Sequence, residues 1–162
     1  FAAAEVTKNA IHYEVYPATS REESLEQLAA EFLRLDQEDD IATTLLIFPE
    51  SFTGFLDFLD LLDAAQALLA KMDYEGVYQL ASFHPDYQFD GEAKDSVANY
   101  TNRSPFPLLH LIRERDIARY MKNEDDAEKI YTHNIAKANE LGCPYFEKVL
   151  KEMRSAKNKN GL

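Results

Sequence analysis

Two pairs of side chains have types and spacings suited to proton transfer. His84 stands two residues before Asp86 across Pro85, and a turn at the proline can bring the carboxylate onto the imidazole. The acid would then fix the tautomer of a base whose pKa suits neutral pH. His110 and Glu114 are four residues apart, so on a helix they share a face, with Arg113 on the adjoining diagonal. Each pair also has an ordinary reading: His84 as a strand end bonded to a loop carbonyl, His110 and Glu114 as a surface helix pair. The candidate catalytic residues are therefore His84, Asp86, His110 and Glu114. The two histidines with Asp86 and Asp95 also supply the types of a two-histidine, carboxylate metal site. No diagnostic metal spacing such as His-Glu-x-x-His occurs, so neither a metal nor a cofactor is assigned.

The stretch NYTNRSPFPLLH, residues 99–110, concentrates directional hydrogen-bonding groups where a helix is expected to begin. Asn99, Asn102, Arg103 and Ser104, with Arg113 further on, are the candidate ligand-binding residues. A helix start favours anions through its free N–H groups and dipole, and an arginine adds a forked donor for carboxylate or phosphate. Pro105 and Pro107 remove two of those N–H groups, which leaves side-chain recognition of a small anionic ligand as the better version. The same groups would equally serve as loop-ordering caps, with Arg103 paired to Asp86, Asp90 or Asp95. No Gly-rich phosphate loop, Gly-x-Ser-x-Gly elbow or Cys-x-x-Cys pair occurs.

These residues need elements to hold them, and periodicity supplies a set. IHYEVYP, residues 11–17, alternates as a strand ended by Pro17, with Ile11, Tyr13 and Val15 expected inward. Ser20 and Glu23 form a capping signature ahead of Leu25, Leu28, Phe32 and Leu35 at helical spacing. TTLLIFP, residues 43–49, is the short continuous apolar run of a strand buried on both faces. Residues 51–73 form a proline-free apolar helix, and VYQLASF, residues 77–83, reads as a third strand closed by His84-Pro85. Residues 85–102 lack periodicity, and a loop of that length is functional or disordered. Its Tyr87, Phe89 and Tyr100 argue for packing down. Ser104-Pro105 would cap a helix over residues 106–122. Helices over 124–141 and 144–155 follow, with a fraying lysine-rich tail after residue 156.

Strand, helix, strand, helix, strand predicts an α/β layered sheet of about three or more mostly parallel strands with crossover helices and a helical C-terminal third. A ferredoxin-like α+β sheet is the alternative. The 162 residues, 46% of them hydrophobic, suit one domain with an α/β core at 1–122 and C-terminal helices at 123–162. The chain begins at Phe1 and not at Met, so the natural start is expected to lie upstream.

The net charge of −12 is uneven: residues 1–75 hold 16 acids and 4 bases, whereas residues 76–162 hold 13 of each. Nucleic-acid affinity comes from Lys and Arg neutralising phosphates, so an acidic half argues against such a partner. No apolar run approaches the length needed to span a bilayer, and no membrane association is expected. The single cysteine, Cys143, cannot form an internal disulfide, which fits a reducing, cytoplasmic setting. Arg103, Arg113, Arg115 and Arg119 form a local basic cluster suited to a small anion. Oligomeric state is not readable.

TTLLIFP, FLDFLDLLDAAQALL, QLASFHPDYQF and NYTNRSPFPLLHLIRE, in that order, carry a resemblance to the bacterial family known as domain of unknown function 1415, over residues 1 to about 119. In that family the preceding region reads Leu-Cys-Pro-Phe-Ala, which implies a cysteine just upstream of Phe1. The resemblance implies a whole-domain relationship and brings no activity with it. The expected function is a small-molecule enzyme or ligand-binding domain for a small anionic compound. Its site would lie at the end of strand 77–83, loop 85–102 and helix start 104. The alternative is a non-catalytic protein-interaction or regulatory domain.

Overall fold

The computed structural model describes residues 9–17, 20–120 and 125–160, with backbone alone for Tyr120, Asp125 and 156–160. Its elements are β1 (Ile11–Val15), α1 (Arg21–Gln37), β2 (Thr43–Ile47), α2 (Phe55–Lys71), β3 (Tyr78–Phe83), a 3-10 turn (Val97–Thr101), β4 (Leu108–Arg113), α3 (Glu114–Tyr120), α4 (Asp125–Leu141) and α5 (Cys143–Asn160). The cap ahead of α1 forms as expected: Ser20 Oγ accepts the Glu23 N–H at 3.1 Å, satisfying one of the donors a helix start leaves open. The last helix continues to Asn160, past the point where a fraying tail was expected.

The sheet order is β1-β2-β4-β3. β1 pairs with β2 in parallel, while β4 runs antiparallel to both β2 and β3. Two of the three pairings are thus antiparallel, which corrects the expectation of mostly parallel neighbours. β1, β2 and β3 do run in one direction, as strands joined by helices should, but β4 is inserted between β2 and β3. The element order also departs from the strand-helix-strand-strand-helix-strand of a ferredoxin-like sheet.

β4 replaces the first part of the helix expected over residues 106–122. LLHLIR offers apolar side chains at both the helical and the strand period, so local pattern leaves it undecided. The neighbours decide it. With β2 on one side and β3 on the other, a strand here satisfies backbone groups along two open edges, which a helix would leave bare. Pairing begins at Pro107, whose carbonyl accepts the Phe48 N–H at 2.9 Å. Helix survives only over Glu114–Tyr120; residues 121–124, where the expected helix ended and the next began, lie outside the described residues.

α1 and α2 cover one sheet face. Leu28, Phe32 and Leu35 of α1 and Phe58, Leu61, Ala65 and Leu69 of α2 meet Leu46, Phe48, Tyr78, Leu80, Leu109 and Leu111 in one buried cluster. Fully burying a side chain such as Phe32 or Phe58 stabilises the fold by about 1.5–3 kcal/mol. The other face carries Leu45, Ile47, Leu108 and Ile112, all half-buried, so β2 is fully buried on one face only. The β1 register places Ile11, Tyr13 and Val15 on that second face, opposite the helices, and Tyr13 and Val15 are exposed. The expected inward set is therefore reversed: His12 and Glu14, partnered by Thr44 and Leu46, face α1. Among the described residues no helix is long and apolar enough to cross a membrane.

Candidate functional site

His84 is completely buried at the end of β3, and both of its ring nitrogens are occupied. Nδ1 accepts the backbone N–H of Asp86 at 3.0 Å, which assigns the proton to Nε2, and Nε2 donates to the Phe52 carbonyl at 2.9 Å. Phe52 has φ +54, a left-handed conformation that a bulky residue adopts only when its surroundings impose it. His84 holds that carbonyl, with its ring between Phe55 and Phe58. Burial pushes the His84 pKa down, partly opposed by the Phe52 carbonyl and the Asp86 charge, so the neutral ring is favoured. The residue bonds Asp86 through its backbone and not through its carboxylate, which is not the geometry of an oriented general base.

The polar run at 99–104 ties the long loop to the sheet. Asn99, also fully buried, accepts the Phe89 N–H at 3.0 Å and donates to the carbonyls of Ala93 and Lys94 at 2.8 and 3.3 Å. Asn102 donates from Nδ2 to Ser82 O at 3.1 Å, and its own carbonyl accepts the His84 N–H at 3.2 Å. Ser104 donates from Oγ to the Phe106 carbonyl. It does not begin a helix, so the expected helix-start dipole is absent from this end of the site. Arg103 reaches the carbonyls of Tyr87 (Nε, 3.2 Å) and Lys94 (Nη2, 2.8 Å), and its guanidinium lies 4.4 Å from the Tyr100 ring centroid. It locks the loop through carbonyls rather than through the carboxylates expected.

His110, Glu114 and Arg113 do not form a helical face. His110 is on β4, on the sheet face opposite His84, and Glu114 is the first residue of α3. Thr43 Oγ1 donates to Leu111 O and therefore accepts from His110 Nε2, at 2.7 Å. Burial pushes the His110 pKa down to about 4. Arg113, only 5% exposed, caps the C-terminal end of α1: Nη2 donates to the carbonyls of Leu35, Glu38 (3.2 Å) and Ile41 (3.0 Å), Nε to Ile41 O (3.2 Å), and Nη1 to Tyr78 Oη (3.3 Å). Its donors are committed to the fold. The four-residue metal grouping of His84, Asp86, Asp95 and His110 is likewise excluded, because its two histidines lie on opposite faces.

Asp86 and Arg103 are brought together, in a cleft of about 440 Å³ between the loop and α5. α5 contributes Glu147, Leu150, Lys151, Arg154 and Ser155, and Tyr100 and Pro85 complete the lining. The helix is fixed to the loop by Tyr100 Oη donating to Glu147 at 3.2 Å, by Tyr100 stacking on Phe146 at 5.2 Å, and by Arg154 Nε donating to Pro105 O at 3.1 Å. Among the described residues that line the cleft, three cations against two carboxylates make it net positive in a chain of net charge −12. Lys151 and Arg154 escaped sequence reasoning, although Glu147, Lys151 and Arg154 stand at i, i+4 and i+7 and so mark one polar helix face. Among the described residues no histidine or cysteine lines the cleft.

A family described as "Protein of unknown function (DUF1415)" has a model that matches residues 1–148, extending the resemblance through α4 and into α5. No curated protein and no solved structure matches the chain.

Proposed function

Because the chain belongs to DUF1415, whose description carries no activity, we propose its function from the chemistry of the cleft: it is a binding domain for a small anionic molecule that also carries hydroxyl or amino groups. The observation that carries this is the convergence of Arg103, Lys151 and Arg154 from loop and helix on one opening, against the charge of the chain as a whole. A guanidinium offers a planar fork to carboxylate or phosphate, and an ammonium a mobile point charge. Asp86 and Glu147 stand ready to accept hydrogen bonds from a ligand's donors, and Tyr100 provides an aromatic wall. The volume is that of a small-molecule site. Binding is favoured over catalysis because the cleft holds no histidine or cysteine and His84 has spent both nitrogens beneath it.

The test is calorimetric titration with inorganic phosphate, succinate and glucose 6-phosphate, paired with thermal shift. At least one should bind and raise the melting temperature by mass action. Lys151→Ala should weaken that ligand by about 10- to 100-fold, the worth of one charged hydrogen bond. No response to any probe, or an affinity that Lys151→Ala leaves unchanged, refutes the proposal. A second reading, docking of a protein partner on the C-terminal helices, rests on the exposed Ile130, Tyr131, Tyr145 and Met153. It predicts that Ile130→Lys abolishes partner binding without touching the anion titration.

A further inference from the structure

His12 and Glu14, one residue apart in β1, point to the same side of the sheet, and the register against Thr44 and Leu46 makes that the side of α1. Glu31 descends from α1 to meet them and is 0% exposed. His12 Nε2 lies 3.4 Å from Glu14 Oε2 and 3.5 Å from Glu31 Oε2, and one donor atom from each residue falls within 4.8 Å of the others. His12 Nε2 is buried yet makes no hydrogen bond. The same is true of Thr44 Oγ1, and Thr44 is the register partner of His12. Buried polar atoms without partners are costly and rare, and His12 Nε2 is one that lies between two carboxylates.

The geometry points to a binding site for a zinc-class divalent cation formed by His12, Glu14 and Glu31. Zinc holds nitrogen and oxygen donors at about 2.0–2.1 Å, so neighbouring donors of a tetrahedron sit about 3.3–3.4 Å apart. The two imidazole–carboxylate separations meet that spacing, and they exceed the roughly 2.7–2.9 Å of a charged hydrogen bond. An imidazole donor selects zinc-like ions over magnesium or calcium, which prefer oxygen alone. Glu31 is oriented from behind: Oε1 accepts Gln27 Nε2 at 2.9 Å, and Arg34 Nε reaches Oε1 at 3.4 Å and Oε2 at 3.2 Å. Such outer partners are usual around metal ligands. Arg34 offsets one negative charge, so the cluster with a neutral imidazole carries −1 before an ion enters. His12 and Glu14 are 26% and 27% exposed, which opens a fourth position to water. A metal here would pin the edge strand β1 to α1, at the opposite edge of the sheet from β3, so the site stands independently of the anion cleft.

The experiment uses the full chain, stripped with EDTA and dialysed, titrated with Zn²⁺ by calorimetry and with Co²⁺ by visible absorption. One equivalent should bind, Co²⁺ should develop the intense bands of a tetrahedral complex, and Zn²⁺ should raise the melting temperature. His12→Ala and Glu14→Gln should each weaken the site at least about 10-fold and remove the Co²⁺ bands. Glu31→Gln is avoided because it disturbs a buried ion pair. The other two side chains are partly exposed, and their metal-free melting curves establish that the variants fold. Zn²⁺ binding that neither variant weakens belongs to other acids of the chain and overturns the site. Absence of binding also overturns it, leaving His12 between two carboxylates without an ion.

Discussion

Replacing Arg113 by Met removes the cap on α1 while keeping a long apolar side chain. In the native structure the guanidinium supplies Leu35 O, Glu38 O, Ile41 O and Tyr78 Oη from 5% exposure. Glu38 O keeps a second donor, the Ile41 N–H at 3.1 Å. The Leu35 and Ile41 carbonyls lose the donors that Arg113 brings them. At about 1–3 kcal/mol for each of these two unsatisfied carbonyls, and with relief from no longer burying a charge, the net loss is about 2–5 kcal/mol. For a chain of this length each kcal/mol lowers the melting temperature by roughly 2–4 °C, so the expected drop is roughly 4–20 °C. Circular dichroism melting measures it. Arg113→Lys, which keeps the charge but cannot fork, should fall between wild type and Arg113→Met. A drop below about 2 °C in Arg113→Met would refute the capping role, and full stability in Arg113→Lys would show that charge alone suffices.

Arg103→Lys should lower the melting temperature by roughly 2–8 °C, because an ammonium can serve one of the two carbonyls at Tyr87 and Lys94, forfeiting about 1–2 kcal/mol; calorimetric melting that does not move would remove Arg103 from the lock. Asn99→Ala leaves the Phe89 N–H without its acceptor and should cost about 2–3 kcal/mol, read as faster limited proteolysis within residues 85–98; an unchanged cleavage rate contradicts the tie. His110 has a folded pKa near 4, below the ordinary 6.5, so its contribution to stability is complete above about pH 6.5 and is lost as pH falls toward 4. Urea midpoints across that window should decline less in His110→Gln than in wild type, and parallel slopes would count against it.

The features that were legible share a short range. The Ser20 cap and the stripe of α1 follow from contacts three or four residues apart, β3 lies within a residue of where alternation puts it, and α2 falls inside the expected 51–73 but starts four residues later, at Phe55. The loop at 85–102 was recognisable as packed because its aromatic residues could not be left in water. In the candidate site, Arg103 and Asp86 were recognisable as groups able to hold a ligand. Their partners on α5 were not, since Lys151 and Arg154 are about fifty residues away and nothing local says which loop that helix covers.

Three outcomes belonged to the tertiary structure alone. LLHLIR fits both periods, and it became β4 because β2 and β3 presented open hydrogen-bonding edges on either side. Arg113 and His110, paired on paper by helical spacing, went to opposite faces once the period became two, one into the α1 cap and the other against Thr43. The parity of β1 was reversed by its register with β2: apolarity alone predicts Ile11, Tyr13 and Val15 inward, but pairing fixed by Thr44, Leu46 and the helices above them turned His12 and Glu14 toward Glu31. The sequence by itself determined which segments could be helix or strand, because those choices are made by neighbours along the chain. Which face each strand buried, and therefore which polar groups met, waited on strand pairing, where a shift of one residue exchanges every side chain between the two sides.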